Sequence, residues 1–298
     1  MTDPILKVEN LSKRFGKLIA VDNVSFEIMP GETFALVGES GSGKTTIGRT
    51  ILRLTGATGG KVIFEGRNLL TLKERELRAI RPGIQMIFQD PYSSLDPLYS
   101  IGKTLREAVH EHRIVEKKDE EEYVKSVMEE CGLRRDMYDK LPDDFSGGER
   151  QRIAIARVMA LQPRLIIADE PVSALDVSVE AQILSLMLRL KEEKNLSYLF
   201  ISHDMNVIRL LSDRIGVMYH GKLVEVAGKD ELLSNPMHPY TRLLLKLDQR
   251  IECNALPEDQ ETCGCPFYSR CPVRMDRCRM EMPEERNLDG HRIRCFSL

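Results

Sequence analysis

Apolar residues along this chain come in short runs, and their period changes from segment to segment. "ILKVENLS" (5–12), "AVDNVSFEIM" (20–29) and "KVIFEG" (61–66) are β-prone stretches separated by Gly, Pro and Asn signals, so they read as short antiparallel strands. Between them "ETFALVG" (32–38) is a continuous apolar run that ends in glycine and leads into the helical "KTTIGRTILRL" (44–54), which predicts a strand–loop–helix unit. "IQMIFQ" (84–89), "RLIIADE" (164–170) and "YLFISHD" (198–204) are apolar strands that each end in a polar residue. That pattern suits buried parallel strands with a site at their C-terminal edge. Residues from about 102 to 160 read as helical, with "KKDEEEYVKSVMEECGL" (117–133) a charged surface helix and "SGGERQRIAIARVMAL" (146–161) a helix opened by a Ser-Gly-Gly turn. "AQILSLMLRLKEEKNL" (181–196) has helical apolar spacing and stops at Asn195. A boundary falls near "LSNPMHPYT" (233–241), after which "ALPEDQETCG" (255–264) reads as a linker into a cysteine-rich end.

Composition narrows the class. The 298 residues are 42% hydrophobic and 30% charged, with the charges dispersed, as expected of a globular chain and not of a disordered one. No apolar run reaches the length of a membrane span, and the first residues lack a basic start followed by an apolar stretch, so a cytosolic address is expected. A net charge of −3 gives no reason to expect nucleic acid as a partner. Five of the seven cysteines lie within the last 36 residues, and an odd count in a reducing compartment argues for metal ligation over a disulfide framework.

"GESGSGKTT" sets Gly38, Ser40, Gly41, Gly43, Lys44, Thr45 and Thr46 in the GxxxxGK[ST] arrangement, after a strand and at a helix start. Glycines there let backbone N–H groups and the helix dipole meet phosphate. Lys44 supplies a cation to the β and γ phosphates and the Thr45 hydroxyl a ligand to Mg²⁺. "LIIADEP" adds Asp169 near the metal and Glu170 where a carboxylate polarises an attacking water, although an acidic pair at a strand end is by itself weak evidence.

"FSGGERQR" (145–152), twenty residues before "IIADEP", resembles the signature of ATP-binding-cassette ATPases. The order of the other motifs agrees with that family: "IFQD" with Gln89, "SALD" (173–176) with Asp176, and "ISHD" with His203. The resemblance covers about residues 5 to 232. It implies an α/β P-loop fold with a RecA-like core, an antiparallel β subdomain and a helical subdomain at about 90–160. It divides the chain into a nucleotide-binding domain (1–232) and a C-terminal regulatory or metal-binding domain (233–298). It further implies ATP and Mg²⁺ as cofactors, with Gln89 sensing Mg²⁺ and phosphate, His203 contacting the γ-phosphate and Phe15 standing where the family stacks an aromatic on adenine. Ser146, Gly147, Gly148 and Glu149 of one domain would close on the P-loop of an identical or homologous partner, head to tail. Glu149 stands where the commonest signature has Gln, and a carboxylate beside triphosphate should repel it unless Arg150 or Arg152 compensates.

"FQDPYSSLDPLYSIG" (88–102) and "NPMHPYTRLLL" (235–245) resemble the peptide/nickel branch of importer ATPases, and the latter is by pattern a Pro-bounded turn into an apolar helix. The resemblance implies ATP-driven uptake of di- or oligopeptides through two separate permease subunits, fed by an extracytoplasmic binding protein, with the ATPase peripheral on the inner face of the membrane. Oligosaccharide or nickel cargo, and a non-transport cassette ATPase, are the competing readings. Cys265, Cys271, Cys278 and Cys295, spaced C-x5-C-x6-C-x16-C, resemble the end of the same importer ATPases. Four thiolates suit a [4Fe–4S] cluster, as in some members of that family, or Zn²⁺, with Arg270, Arg274, Arg277 and Arg279 offsetting cluster charge; unligated thiols are the third alternative. Cys263 is a substitute ligand, Cys131 is expected to be structural, and Cys253 is unassigned.

Overall fold

The computed structural model describes residues 3–90, 95–247 and 264–297. Cys253, Cys263, the linker 255–263 and residues 91–94 of the "FQDPYSSLDP" stretch lie outside the described residues. The chain forms two compact units. One, the sheet unit, comprises Leu6–Ile28, Glu32–Leu70 and Phe200–Leu298; the other, the helical unit, comprises Met1–Ile5, Met29–Gly31 and Thr71–Leu199.

In the sheet unit β1 (Leu6–Phe15), β2 (Leu18–Ile28), β4 (Gly59–Phe64) and β5 (Arg67–Asn68) form an antiparallel sheet in the order β2-β1-β4-β5. Its register explains why these segments alternate: Leu6 and Val8 oppose Ile28 and Phe26 on one side and Phe64 and Val62 on the other, and all six are buried. A second sheet segment begins with β3 (Thr33–Val37), whose five residues are all buried, paired in parallel with β9 (Arg214–Tyr219). β9 turns back antiparallel into β10 (Lys222–Gly228) through His220 and Gly221, both at positive φ (43° and 80°), the requirement of a tight two-residue hairpin. β12 (His291–Ile293) adds to β10, and β11 (Arg286–Leu288) to β12, so the end of the chain is tied into this unit. Helices α1 (Lys44–Ile51), α7 (Met205–Leu211), α8 (Lys229–Ser234), α9 (Pro239–Leu244) and α10 (Asp276–Met280) complete it.

In the helical unit β6 (Ile84–Ile87) pairs in parallel with β7 (Leu165–Asp169), as the continuous apolar runs predict. α2 (Glu74–Ile80), α3 (Ile101–His112), α4 (Glu120–Glu130), α5 (Gly147–Met159) and α6 (Val177–Lys194) make up its helices. The expected helical stretch is thus three helices, interrupted between 131 and 146 by short 3₁₀ turns at Arg135–Met137 and Pro142–Asp144. α6 ends at Asn195, which adopts the left-handed conformation (φ 51°) that stops a helix. β8 (Ser197–Ser202) is fully buried; Ser197–Leu199 belong to the helical unit and Phe200–Ser202 to the sheet unit. Among the described residues no helix is long and apolar enough to cross a membrane.

Candidate functional site

In the sheet unit the buried β3 delivers the chain to Gly38, where a Cβ would lie 2.2 Å from the carbonyl oxygen of Met218 on β9, so the backbone can pass only without a side chain. Gly43 caps α1 at φ 105°, and a Cβ there would meet Ala20 O at 2.2 Å. Lys44 is buried (5% exposed) and its ammonium donates to Gly38 O (2.7 Å), Glu39 O (2.9 Å) and Ser42 Oγ (3.3 Å). A buried ammonium beside the N–H end of α1 is chemistry that a polyphosphate would fit. Gly221 N donates to Ser42 O (2.9 Å) and Asp22 N to Gly221 O (2.8 Å), so the β9–β10 turn braces the loop. Ser40 and Gly41 are exposed, while Thr45 and Thr46 are half-buried in the first turn of α1. Phe15, at the end of β1, is 49% exposed with the Lys13 ammonium 4.5 Å from its ring centre. It is therefore a surface ring rather than core. His203 is exposed just past β8.

In the helical unit Asp169 is buried (2% exposed) at the end of β7. Glu170 follows at φ 48°, half-buried, and accepts a hydrogen bond from Gln89 Nε2 (3.1 Å). The structure therefore brings together two residues 81 positions apart that the sequence singled out separately. Asp176 caps α6 through its carbonyl, which accepts from Val179 N and Glu180 N. Ser146 caps α5, and Glu149 reaches back: its carboxylate accepts from Ser146 N (2.9 Å) and Ser146 Oγ (2.8 Å). These two bonds hold the Glu149 carboxyl below the ordinary carboxylate range. The signature with Glu is thus a capping box. Arg150 donates to Phe145 O (3.0 Å), and Arg152 to Cys131 O (3.2 Å) and Gln182 Oε1 (3.3 Å), while Ser146 meets the Glu149 charge. Gly147 and Gly148 open α5, and a Cβ on Gly148 would lie 2.5 Å from Val179 Cγ1 of α6. Cys131 is fully buried, and burial pushes its thiol up to about 12, in keeping with a structural role.

The metal reading of the cysteine-rich end is overturned. Among the described residues no group of three or more His, Cys, Asp or Glu side chains is placed to hold a metal ion, so Cys265, Cys271, Cys278 and Cys295 form neither an iron–sulfur nor a zinc centre. Burial pushes the Cys265 thiol up to about 12 and that of Cys271 up to about 11. Cys295 shares a hydrogen bond with Ser297 Oγ (3.0 Å). Three of the four arginines expected to offset cluster charge have other partners: Arg270 pairs with Glu39, Arg274 donates to Cys271 O, and Arg277 lies over the Phe296 ring. What secures the segment is the core of the sheet unit. Phe267 is fully buried against Tyr219 (5.2 Å), Tyr240 (5.4 Å) and His238 (5.9 Å).

Sequence reasoning missed two groups in this region. Glu39 of the phosphate loop contacts Tyr240 and Arg270. Glu225, 1% exposed on β10, accepts from Met237 N (2.7 Å), His238 N (3.0 Å) and Thr241 Oγ1, and pairs with His291 Nε2 (2.6 Å). A lone Glu inside "KLVEVAG" was the available signal, since a carboxylate in an apolar strand needs partners.

The ABC transporter family model matches residues 21–173, and the model of the oligopeptide/dipeptide transporter C-terminal region matches 224–278. Solved structures agree: the ATP-binding cassette MJ0796, described as dimeric in a post-hydrolysis state with ADP and Pi, is similar with a TM-score of 0.68 and 29% identity, covering 75% of this chain and 98% of that one. The fold is shared also with cbiO1 from Clostridium perfringens (TM-score 0.71, 24% identity, 78% and 92% covered). The chain belongs to the ATP-binding-cassette transporter ATPases, in the branch that carries the oligopeptide/dipeptide C-terminal region. Two similar relatives are from Bacillus subtilis (strain 168). The oligopeptide transport ATP-binding protein AppF is 45% identical over 286 residues (91% of this chain, 87% of that protein), and the oligopeptide transport ATP-binding protein OppF is 49% identical over 251 residues (82% of each).

Proposed function

We propose that this chain is the ATP-hydrolysing subunit of a peptide importer. The observation that carries the reading is the pairing, in one chain, of the ABC transporter match over 21–173 with the oligopeptide/dipeptide match over 224–278. The AppF and OppF relatives bear oligopeptide-transport names, which supports peptide as the cargo. We take 1–232 as the nucleotide-binding domain and 233–298 as the importer-type C-terminal region. Two such ATPases, identical or homologous, would work head to tail under two permease subunits, on the cytoplasmic face of the membrane, with an external binding protein delivering cargo.

In this reading the loop from Gly38 through Ser40, Gly41 and Gly43 to Thr46 cradles the phosphates, and Lys44 balances their charge. Thr45, Asp169 and Gln89 are the residues that would hold Mg²⁺, which when bound neutralises charge on the phosphates. Glu170 orients water and accepts its proton, His203 contacts the terminal phosphate, and Phe15 stacks on the base. Ser146, Gly147, Gly148, Glu149 and Asp176 serve the partner's nucleotide. The hydrogen bond between Gln89 and Glu170 supports the view that the glutamine governs when the carboxylate is available.

Glu170→Gln is expected to lower ATP hydrolysis by the full chain at least ~100-fold, within the range of a lost general base, while ATP still binds. The transport reading is tested by co-purification with membrane permeases and reconstitution in vesicles. Hydrolysis stimulated by loaded peptide-binding protein supports it; stimulation by an oligosaccharide or nickel carrier instead, or isolation as a complex with nucleic acid, overturns it.

A further inference from the structure

Every polar group of Glu39, the second residue of the phosphate loop, is committed. Its carbonyl accepts from Lys44 Nζ (2.9 Å) and from Ser42 N (3.2 Å) within the loop. Its other two groups are held by residues far along the chain. The backbone N–H donates to the hydroxyl of Tyr240 (2.8 Å), 201 residues away. The carboxylate accepts from Arg270 Nη1 through both oxygens (3.1 and 2.9 Å), 231 residues away. Tyr240 belongs to α9 and is fully buried, its ring 4.5 Å from that of Tyr219. Arg270 lies in the short turn Tyr268–Arg270, hydrogen-bonds also to the Tyr219 hydroxyl, and rests 5.8 Å from the centre of the Phe267 ring. A charge-assisted pair and a backbone clamp, both mounted on one aromatic cluster, are anchored on the segment that must be shaped to receive phosphate. The clamp also turns the Glu39 N–H toward Tyr240, which leaves the cradle to the amides that follow.

We propose that Tyr240 and Arg270 are positioning residues for ATP, through which the C-terminal segment sets the shape of the phosphate loop and hence nucleotide affinity. The inference rests on the reading of Gly38–Thr45 as the ATP phosphate loop. Linkage makes it reciprocal: whatever loosens the 264–293 segment weakens ATP binding, and bound ATP tightens that segment.

The test uses the full chain, with Mg-ATP affinity measured by calorimetry and hydrolysis by steady-state kinetics. Tyr240→Phe keeps the ring in the core and removes only the acceptor, and Arg270→Ala removes the ion pair. Each is expected to raise the Kd and KM for ATP roughly 5-fold or more, the lower end of ordinary coupling between sites, with kcat changed less than about 2-fold. Arg270→Lys should restore most of the affinity, and Arg270→Ala with Glu39→Ala should be non-additive in a double-mutant cycle. Unchanged affinity in both Tyr240→Phe and Arg270→Ala, or strict additivity in the cycle, overturns the proposal. If Arg270→Ala unfolds the segment, Tyr240→Phe alone decides. Lys44→Ala separates the two failures: if it binds ATP as the parent does, the phosphate-loop reading itself falls; if it abolishes binding while the tail variants bind normally, only the present inference falls.

Discussion

Glu149 marks the point where a single side chain departs from the family pattern, and its contacts show why the chain tolerates it. The carboxylate closes a capping box on Ser146, so its charge is met by an N–H and a hydroxyl. On the proposed role of this helix end in binding the partner's nucleotide, that solution has a cost. Ser146 donates its only hydroxyl proton to Glu149, whereas a phosphate presented to this helix end would need that proton. A glutamine can accept from Ser146 N through its carbonyl and donate to the hydroxyl oxygen, releasing the proton and removing one negative charge. Glu149→Gln is therefore expected to lower the KM for ATP a few-fold, with thermal stability changed by less than about 0.5 kcal/mol because the cap survives. Ser146→Ala should instead destabilise α5 by about 1 kcal/mol. Steady-state hydrolysis and thermal melts check both; a higher KM in Glu149→Gln would contradict the account. The motif residues were legible from spacing alone, because each motif is local. The direction of the Ser146 proton was not, since it depends on a side chain three residues on folding back.

At the scale of elements, two reasons coexist for one glycine. Gly148 belongs to a signature that the family resemblance reads as phosphate-binding, yet it also sits where α5 meets α6 closely enough that a Cβ would stand 2.5 Å from Val179 Cγ1. A side chain there requires the Val179 methyl to move. Gly148→Ala is expected to cost about 1–3 kcal/mol, the usual penalty of overpacking, and denaturant melts of the full chain would detect it. A neutral result would leave phosphate contact as the sole reason for the glycine. The buried strands β3, β6, β7 and β8 were readable as short apolar runs, and α6 was readable to its last residue because Asn195 is a stop signal. The β9–β10 hairpin went unread although "YHGKL" carries a turn signal, since the strands on either side lack alternation: nearly every residue of both is buried. Continuous burial erases the period that sequence reading depends on.

For the molecule as a whole, the C-terminal segment changes most between sequence and structure. Its attachment rests on the buried Glu225, whose carboxylate is met by His291 on β12 and by Met237, His238 and Thr241 around α9, while Glu231 on α8 lies 3.6 Å from the other ring nitrogen of His291. Burial alone would raise Glu225, but the hydrogen bonds from His291, Thr241, Met237 and His238 outweigh it and hold its carboxyl low. The bond to Glu225 raises His291 in turn, while burial lowers His238 to about 4. The signs follow from linkage. Stability from the depressed Glu225 is present above the ordinary carboxylate range and lost as pH falls through its folded value; neutral His238 adds an acid penalty that grows from about 6.5 down to about 4. Stability from the raised His291 is complete below about 6.5 and lost as pH climbs through its folded value. Hydrogen-exchange protection over 286–293, corrected for intrinsic rates, should therefore peak near neutrality and fall on both sides. His291→Gln should flatten the alkaline limb, and a pH-independent profile would refute this assignment.

The sequence by itself determined the ATPase, because its motifs are contiguous strings whose order and spacing survive without any fold. It also marked the branch, through "NPMHPYTRLLL". Only tertiary structure decided what the cysteine-rich end does. Ligand spacings of five, six and sixteen residues are compatible with convergence and do not require it; the fold determined that the end is held by aromatic packing around Phe267, by the buried pair of His291 with Glu225 and by the half-exposed pair of Arg270 with Glu39. Contacts spanning 201 and 231 residues leave no trace in local pattern, which is why the link from Tyr240 and Arg270 to the phosphate loop became visible only in the fold.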